Sequence, residues 1–166
     1  SRKLFRLARS CRISFRKIRA KQHVLLNGKD VSEEIRTQPV SLLASLYSKL
    51  PVVRRALIHH QRKFGNQGGI VAEGRDLGTV VFPEADLKFF LVASLKERAR
   101  RRHVELPKKS TVTEVMREIH KRDLADIRRS LAPLKKAKDA IYLNTTRLSI
   151  DQVVGAMYRV VRARKK

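Results

Sequence analysis

Apolar positions along the chain fall into short continuous runs and longer helical stripes. Ile70-Val71-Ala72 and Phe89-Phe90-Leu91-Val92 are continuous runs. Each predicts a strand buried on both faces, because such a strand has no polar side to show. Ala140 to Leu143 predicts a third core strand. Between the first two lies Glu73-Gly74-Arg75-Asp76-Leu77-Gly78-Thr79, read as a polar loop past a strand's carboxyl end. Open α/β sheets bind ligands at such ends. Helical spacing marks Val40–Leu50 after Pro39, and Val52–Phe64 after Pro51 with Val53, Leu57 and Phe64 inward. It also marks Leu95–Glu105, Thr113 to about Arg129, and Ile150–Val161. The last is capped by Ser149 and striped by Val153, Val154, Met157 and Val161. At the start, Leu4, Phe5, Leu7 and Ala8 suit a short helix. Ile13-Ser14-Phe15 and Val24-Leu25-Leu26 suit two strands joined by Lys17–Gln22, and Asn27-Gly28 marks the next turn. Asp30 to Ile35 is a polar segment entering a helical turn.

Length and composition bound this pattern. At 166 residues and 42% hydrophobic, the chain is expected to form one domain with its own core. A single cysteine, Cys11, excludes an intramolecular disulfide. No apolar run approaches the roughly 18 residues of a membrane span, so no membrane partner is expected.

Charge changes the picture. Lys and Arg number 39 against 15 Asp and Glu, a net charge of +24. Such an excess points to a polyanion, RNA or DNA first, or to an anionic membrane surface. Its distribution points the same way. Residues 1–29 hold ten cations and no acid. The residues expected on RNA are Arg2, Lys3, Arg6, Arg9, Arg12, Arg16, Lys17, Arg19 and Lys21 in this arm, Arg100 and Arg101 further on, and Arg162, Arg164, Lys165 and Lys166 in the tail. Aromatic residues make up 5% and Trp is absent, so phosphate contact rather than base stacking is the expected mode. An Arg-rich, acid-free start is also a feature of organelle transit peptides. Here it runs directly into expected structure and is read as a basic arm.

Two further constellations carry chemistry. Arg122, Asp126 and Arg129 are spaced i, i+4, i+7 and share one helix face. They suit either a grip on one polar ligand or an intrahelical ion-pair ladder. His59 and His60 are adjacent, lack the spacing of a helical two-His metal site, and are read as surface residues. No metal site is expected.

The segments Asn27–Thr37, the helix after Pro51, Glu73–Ser94, Glu97–Arg102, Arg122–Leu134 and Thr145–Val154 together resemble bacterial-type cytidylate kinase, in order and spacing. The resemblance covers about Arg12 to Val161. It implies an α/β chain: an incomplete P-loop nucleoside-monophosphate-kinase-like fold with parallel core strands flanked by helices. It implies phosphoryl transfer from ATP to CMP or dCMP with magnesium. By resemblance, Ser45, Arg54, Arg75, Asp76, Asp126 and Arg129 stand where the family holds CMP. Arg98, Arg102 and Arg122 stand on or near the mobile lid, whose arginines neutralise the phosphates in flight. The single domain then divides into a basic arm and hairpin at 1–29, a remnant of the monophosphate-binding region at 30–64, core and lid at 65–161, and a basic tail at 162–166.

The departures are equally specific. No G-x-x-x-x-G-K-[ST] sequence occurs in these residues. The donor's phosphates need that loop's amides and lysine. The lid is also shortened around Leu106–Ser110. By resemblance, a central strand between the Ile70 and Phe89 strands is missing too, and unsatisfied buried backbone is costly. The rest of a split protein, a neighbouring protein or a rearranged sheet is expected to replace it. The leading expectation is therefore a catalytically inactive, RNA-binding structural component of a ribonucleoprotein particle, such as an organelle ribosome in the mitochondrion, in contact with rRNA and needing no cofactor. The alternative is a fragment or split part of an active cytidylate kinase that uses ATP and magnesium. A third reading is a CMP-binding regulatory module.

Overall fold

A computed structural model describes residues 2–66, 68–105 and 110–164. The tail residues Lys165 and Lys166, and the shortened lid at Leu106–Lys109, lie outside the described residues. The chain divides into two compact units, Ser1–Ala72 and Glu73–Lys166.

In the first unit, α1 (Arg2–Ser10) leads into an antiparallel hairpin of β1 (Ile13–Ile18) and β2 (Lys21–Leu26), extended by β3 (Lys29–Asp30). The strands run further into the connecting segment than the apolar runs suggest, leaving only Arg19 and Ala20 as the turn. Both have positive φ, at 46° and 66°. This mirror-image turn matches the twist of a two-residue hairpin, although glycine or asparagine is usual there. At the next turn, Asn27 (φ 51°) and Gly28 (φ 88°) meet the same demand with residues suited to it. The Arg12 amide donates to Asn27 Oδ1 at 2.8 Å and pins that end.

A 3-10 turn at Glu34–Arg36 precedes α2 (Gln38–Tyr47) and α3 (Pro51–Gly65). Proline begins both helices because its missing N–H costs nothing there. On α3, Val53 and Ala56 are buried. Leu57, expected inward, is exposed instead; the small Ala56 takes the close contact. His60, expected on the surface, is half-buried, and its Nε2 donates to the Ala8 carbonyl of α1 at 3.0 Å.

The second unit holds β4 (Phe89–Val92), α4 (Leu95–Glu105), α5 (Val112–Ile127), β5 (Ile141–Asn144) and α6 (Ile150–Arg164). β4 and β5 pair in parallel, Phe89 with Ile141 through Val92 with Asn144. Two of the three expected strands thus form a small parallel sheet within a mixed α/β chain, but neither is buried on both faces as its apolar run predicts, since Leu91 and Tyr142 are exposed. The third does not form. Residues 70–72 are irregular, and Val71 is 99% exposed. A parallel strand needs a neighbour for its backbone groups. Among the described residues none pairs with this run.

Two helices of this unit carry the caps their sequences encode. Thr111 and Glu114 form a reciprocal capping box on α5. Ser149 and Gln152 do the same on α6, at 3.2 and 2.9 Å. α6 has no fully buried residue, and Val154 of its expected stripe is exposed.

Candidate active site

The loop expected at Glu73–Thr79 is partly helical. A π-helical turn spans Leu77–Val81, and the Asp76 carbonyl accepts from the amides of Thr79, Val80 and Val81. Gly74 suits this segment, because a Cβ at that position would lie 2.9 Å from Leu77 Cγ and would force that side chain to shift. Lys88 anchors the following segment. Its ammonium donates to the Pro83 carbonyl and pairs with Asp139 at 2.6 Å, ahead of β5.

This backbone presents Arg75 to α5. Arg75 NH1 lies 3.1 Å from Asp123 Oδ1 and 2.8 Å from Asp126 Oδ2. Asp123 Oδ2 in turn accepts from Arg98 NH1 at 2.6 Å. Arg98 also donates through Nε to the Ala93 carbonyl at 3.1 Å, which ties α4 to the end of β4. Arg129 pairs with Asp126 across one turn. Asp126 is 5% exposed. A carboxylate so buried requires ionic partners, and two arginines supply them.

The result is a chain of alternating charge: Arg98, Asp123, Arg75, Asp126, Arg129. Arg122 adjoins it. Partial desolvation pushes the Arg122 guanidinium down from arginine's ordinary value, the cations Arg75 and Arg102 push the same way, and Asp123 opposes them. Three guanidiniums thus share two carboxylates, with Arg122 as a further cation nearby. The surplus is positive, and the forked donors suit a phosphate.

Of the residues expected to hold CMP, the second unit brings together Arg75, Asp126 and Arg129, with Asp76 beside Arg75 in the same segment. Ser45 on α2 and Arg54 on α3 belong to the first unit. Of the lid positions, Arg98 and Arg122 enter the cluster, while Arg102 pairs with Glu105 at 2.8 Å.

Asp123 was not singled out from the sequence, yet it joins Arg75 to Arg98. The signal is its spacing: Asp123 and Asp126 are i, i+3 and share a face of α5. Arg101 also has a role that its charge does not disclose. It donates from Nε to Glu97 at 2.8 Å and from NH2 to the Thr145 and Leu148 carbonyls at 2.6 and 3.3 Å. Those bonds close the turn after β5.

The comparisons with known proteins decide the family. The family model described as cytidylate kinase matches residues 1–163. The chain belongs to the cytidylate kinase family. The curated cytidylate kinase of Syntrophotalea carbinolica is 49% identical over 148 residues, 87% of this chain and 63% of the relative. That of Geobacter sp. strain M21 is 46% identical over 164 residues, 97% of this chain and 70% of the relative. A Pseudomonas putida W619 cytidylate kinase is 50% identical over 136 residues, 80% of this chain and 60% of the relative. The chain therefore spans about two thirds of the length of such relatives. Membership in the family implies a P-loop nucleoside-monophosphate-kinase fold, of which these residues form part.

Proposed function

We propose that this chain is the acceptor-binding and lid portion of an ATP-dependent kinase that phosphorylates CMP or dCMP. The observation that carries the proposal is the Arg75–Asp123–Arg98 and Arg75–Asp126–Arg129 network within a chain that matches the cytidylate kinases from end to end of its own length. Arg75 and Arg129 would meet the acceptor, and Asp126 would hold both guanidiniums while accepting from a nucleoside donor group. Arg98 and Arg122 would balance charge on the transferring phosphoryl group.

The residues do not fit the donor nucleotide as well. ATP needs a cradle of backbone amides and a lysine around its terminal phosphates. These 166 residues contain no such glycine-rich sequence. The donor cradle, and with it a strand for the unpaired edge of the β4–β5 sheet, would come from a segment outside these residues or from another chain. A noncatalytic role in a ribonucleoprotein particle rests on the charge and on the absence of a glycine-rich loop from these residues, and the likeness to kinases favours catalysis by the completed protein.

The test is a fusion that joins the N-terminal segment of the Syntrophotalea carbinolica kinase to this chain. A coupled assay should show CMP phosphorylation by the fusion and none by the 166-residue chain. A folded fusion without turnover would overturn the proposal, as would turnover by the chain alone.

A further inference from the structure

The first unit carries a cationic surface that the kinase reading does not use. Nine cations lie between Arg2 and Lys21, and among the described residues none of them pairs with a carboxylate. The nearest acid in sequence, Asp30, is already engaged. It accepts from the amide and hydroxyl of Ser32 at 2.9 and 2.5 Å, and its other oxygen meets His23 Nδ1 at 2.7 Å. The cations of the second unit differ, since Arg100 is held by both oxygens of Glu97 and Arg164 by the Asp86 carbonyl at 2.6 Å.

The hairpin adds shape to this charge. Phe15, Arg16, Lys17, Ala20 and Gln22 line an open depression of about 400 Å³. Phe15 lies opposite Val24, and Lys17 opposite Gln22, so these four residues share one face of the hairpin. The Phe15 ring contacts Phe64 edge-on at 5.1 Å, which fixes its orientation, while half of the residue stays exposed. An exposed ring among phosphate-binding cations, with an amide side chain beside it, is the arrangement by which proteins hold unpaired bases.

We propose that the β1–β2 hairpin binds single-stranded nucleic acid, with a base on Phe15 and the flanking phosphates on Lys17, which shares its face, and on Arg19 at the turn. A duplex would leave Phe15 unused, because its bases are already stacked. An anionic membrane fits less well. The apolar side of α1 is partly covered, and α1 is tied to α3 through the Ala8–His60 bond. The surface is independent of the kinase reading, since catalytic and noncatalytic members alike could carry it.

The test uses fluorescence anisotropy on the 166-residue chain. The probes are a labelled single-stranded RNA of about ten nucleotides, the DNA of the same sequence, the RNA duplex, and phosphatidylcholine–phosphatidylserine vesicles. Both single strands should bind above the duplex, and a preference between them would identify the natural source. Affinity should fall with salt at a log–log slope of about −0.7 per phosphate contacted. Replacing Lys17 and Arg19 together by Gln should make that slope shallower by about 1.4. Phe15→Leu should weaken binding roughly tenfold at an unchanged slope, and Phe15→Tyr should retain it. Melting curves keep a folding defect distinct from lost contact. Equal binding of duplex and single strand, a slope untouched by the double substitution, a folded Phe15→Leu chain that binds normally, or capture by vesicles alone would overturn the proposal.

Discussion

Two regions, α1 with the hairpin in the first unit and the arginines around α4 and α5 in the second, hold their positive charge in opposite ways. In the first, the cations of α1 and the hairpin project without carboxylate partners. In the second, Arg75, Arg98, Arg101 and Arg129 are each fixed by carboxylates or carbonyls. A net charge of +24 describes the sum and conceals the difference. Paired guanidiniums in a half-buried network are pre-positioned, so a small anionic ligand meets donors that need little further ordering. Unpaired cations on flexible side chains hold a polyanion through many weak contacts. On the two proposals made above, the paired arginines serve one ligand and the unpaired arm serves a polyanion.

Breaking the paired network should produce the larger effect on stability. Asp123→Asn keeps the side-chain volume and removes the charge between Arg75 and Arg98. It should cost about 1–2 kcal/mol, below the value for a fully buried pair because both arginines are about one-third exposed. Urea unfolding of the 166-residue chain measures it. A change under a few tenths of a kcal/mol would mean that Asp123 only accompanies the arginines. Substituting an unpaired cation of the hairpin, such as Lys17→Gln, should leave the same midpoint nearly unmoved, which sharpens the contrast.

A smaller effect should appear in acid. The Asp30 carboxyl is held at about 2, chiefly by the hydroxyl and then the amide of Ser32, with His23 adding to both. Glu97 is likewise held at about 2, by hydrogen bonds from Arg100 and then Arg101. Each group stays ionised in the folded chain where the unfolded chain would bind a proton. Their stabilisation is complete above the ordinary values of 3.8 and 4.5, shrinks as pH falls through this window, and is gone below about 2. Amide exchange at Ser32 and Val24 should therefore accelerate as pH drops below about 4, relative to the intrinsic rate. In Asp30→Asn that protection should be weaker from the start and largely independent of acid. A wild-type protection profile that stays flat to pH of about 2 would contradict the assignment.

Local structure was largely legible in the sequence, because caps, turns and apolar stripes are local signals. α4 begins and ends where its spacing places it, Asn27-Gly28 forms its turn, and Ser149 caps α6. The run at Ile70 misled because a continuous apolar segment becomes a strand only beside a hydrogen-bonding neighbour. The site was legible in part. The shared face of Arg122, Asp126 and Arg129 followed from periodicity. That face proves to hold both an ion-pair ladder and a surplus of cation. Asp123 and Arg101 escaped because their partners are distant in sequence, at separations of 48 residues to Arg75 and 44 to Thr145. A charge count cannot tell an arginine that binds phosphate from one that closes a turn.

Arg75 carries the central claim, since it joins both halves of the paired network. In the fusion with the Syntrophotalea carbinolica N-terminal segment, steady-state kinetics should be compared for the unsubstituted protein, Arg75→Ala and Arg75→Lys. Arg75→Ala should lower kcat/KM for CMP by about a hundredfold or more while leaving the KM for ATP within a small factor. Arg75→Lys should recover only part of the loss, because an ammonium lacks the guanidinium's fork. An Arg75→Ala protein that folds, melts normally and phosphorylates CMP at the unsubstituted rate would contradict the account.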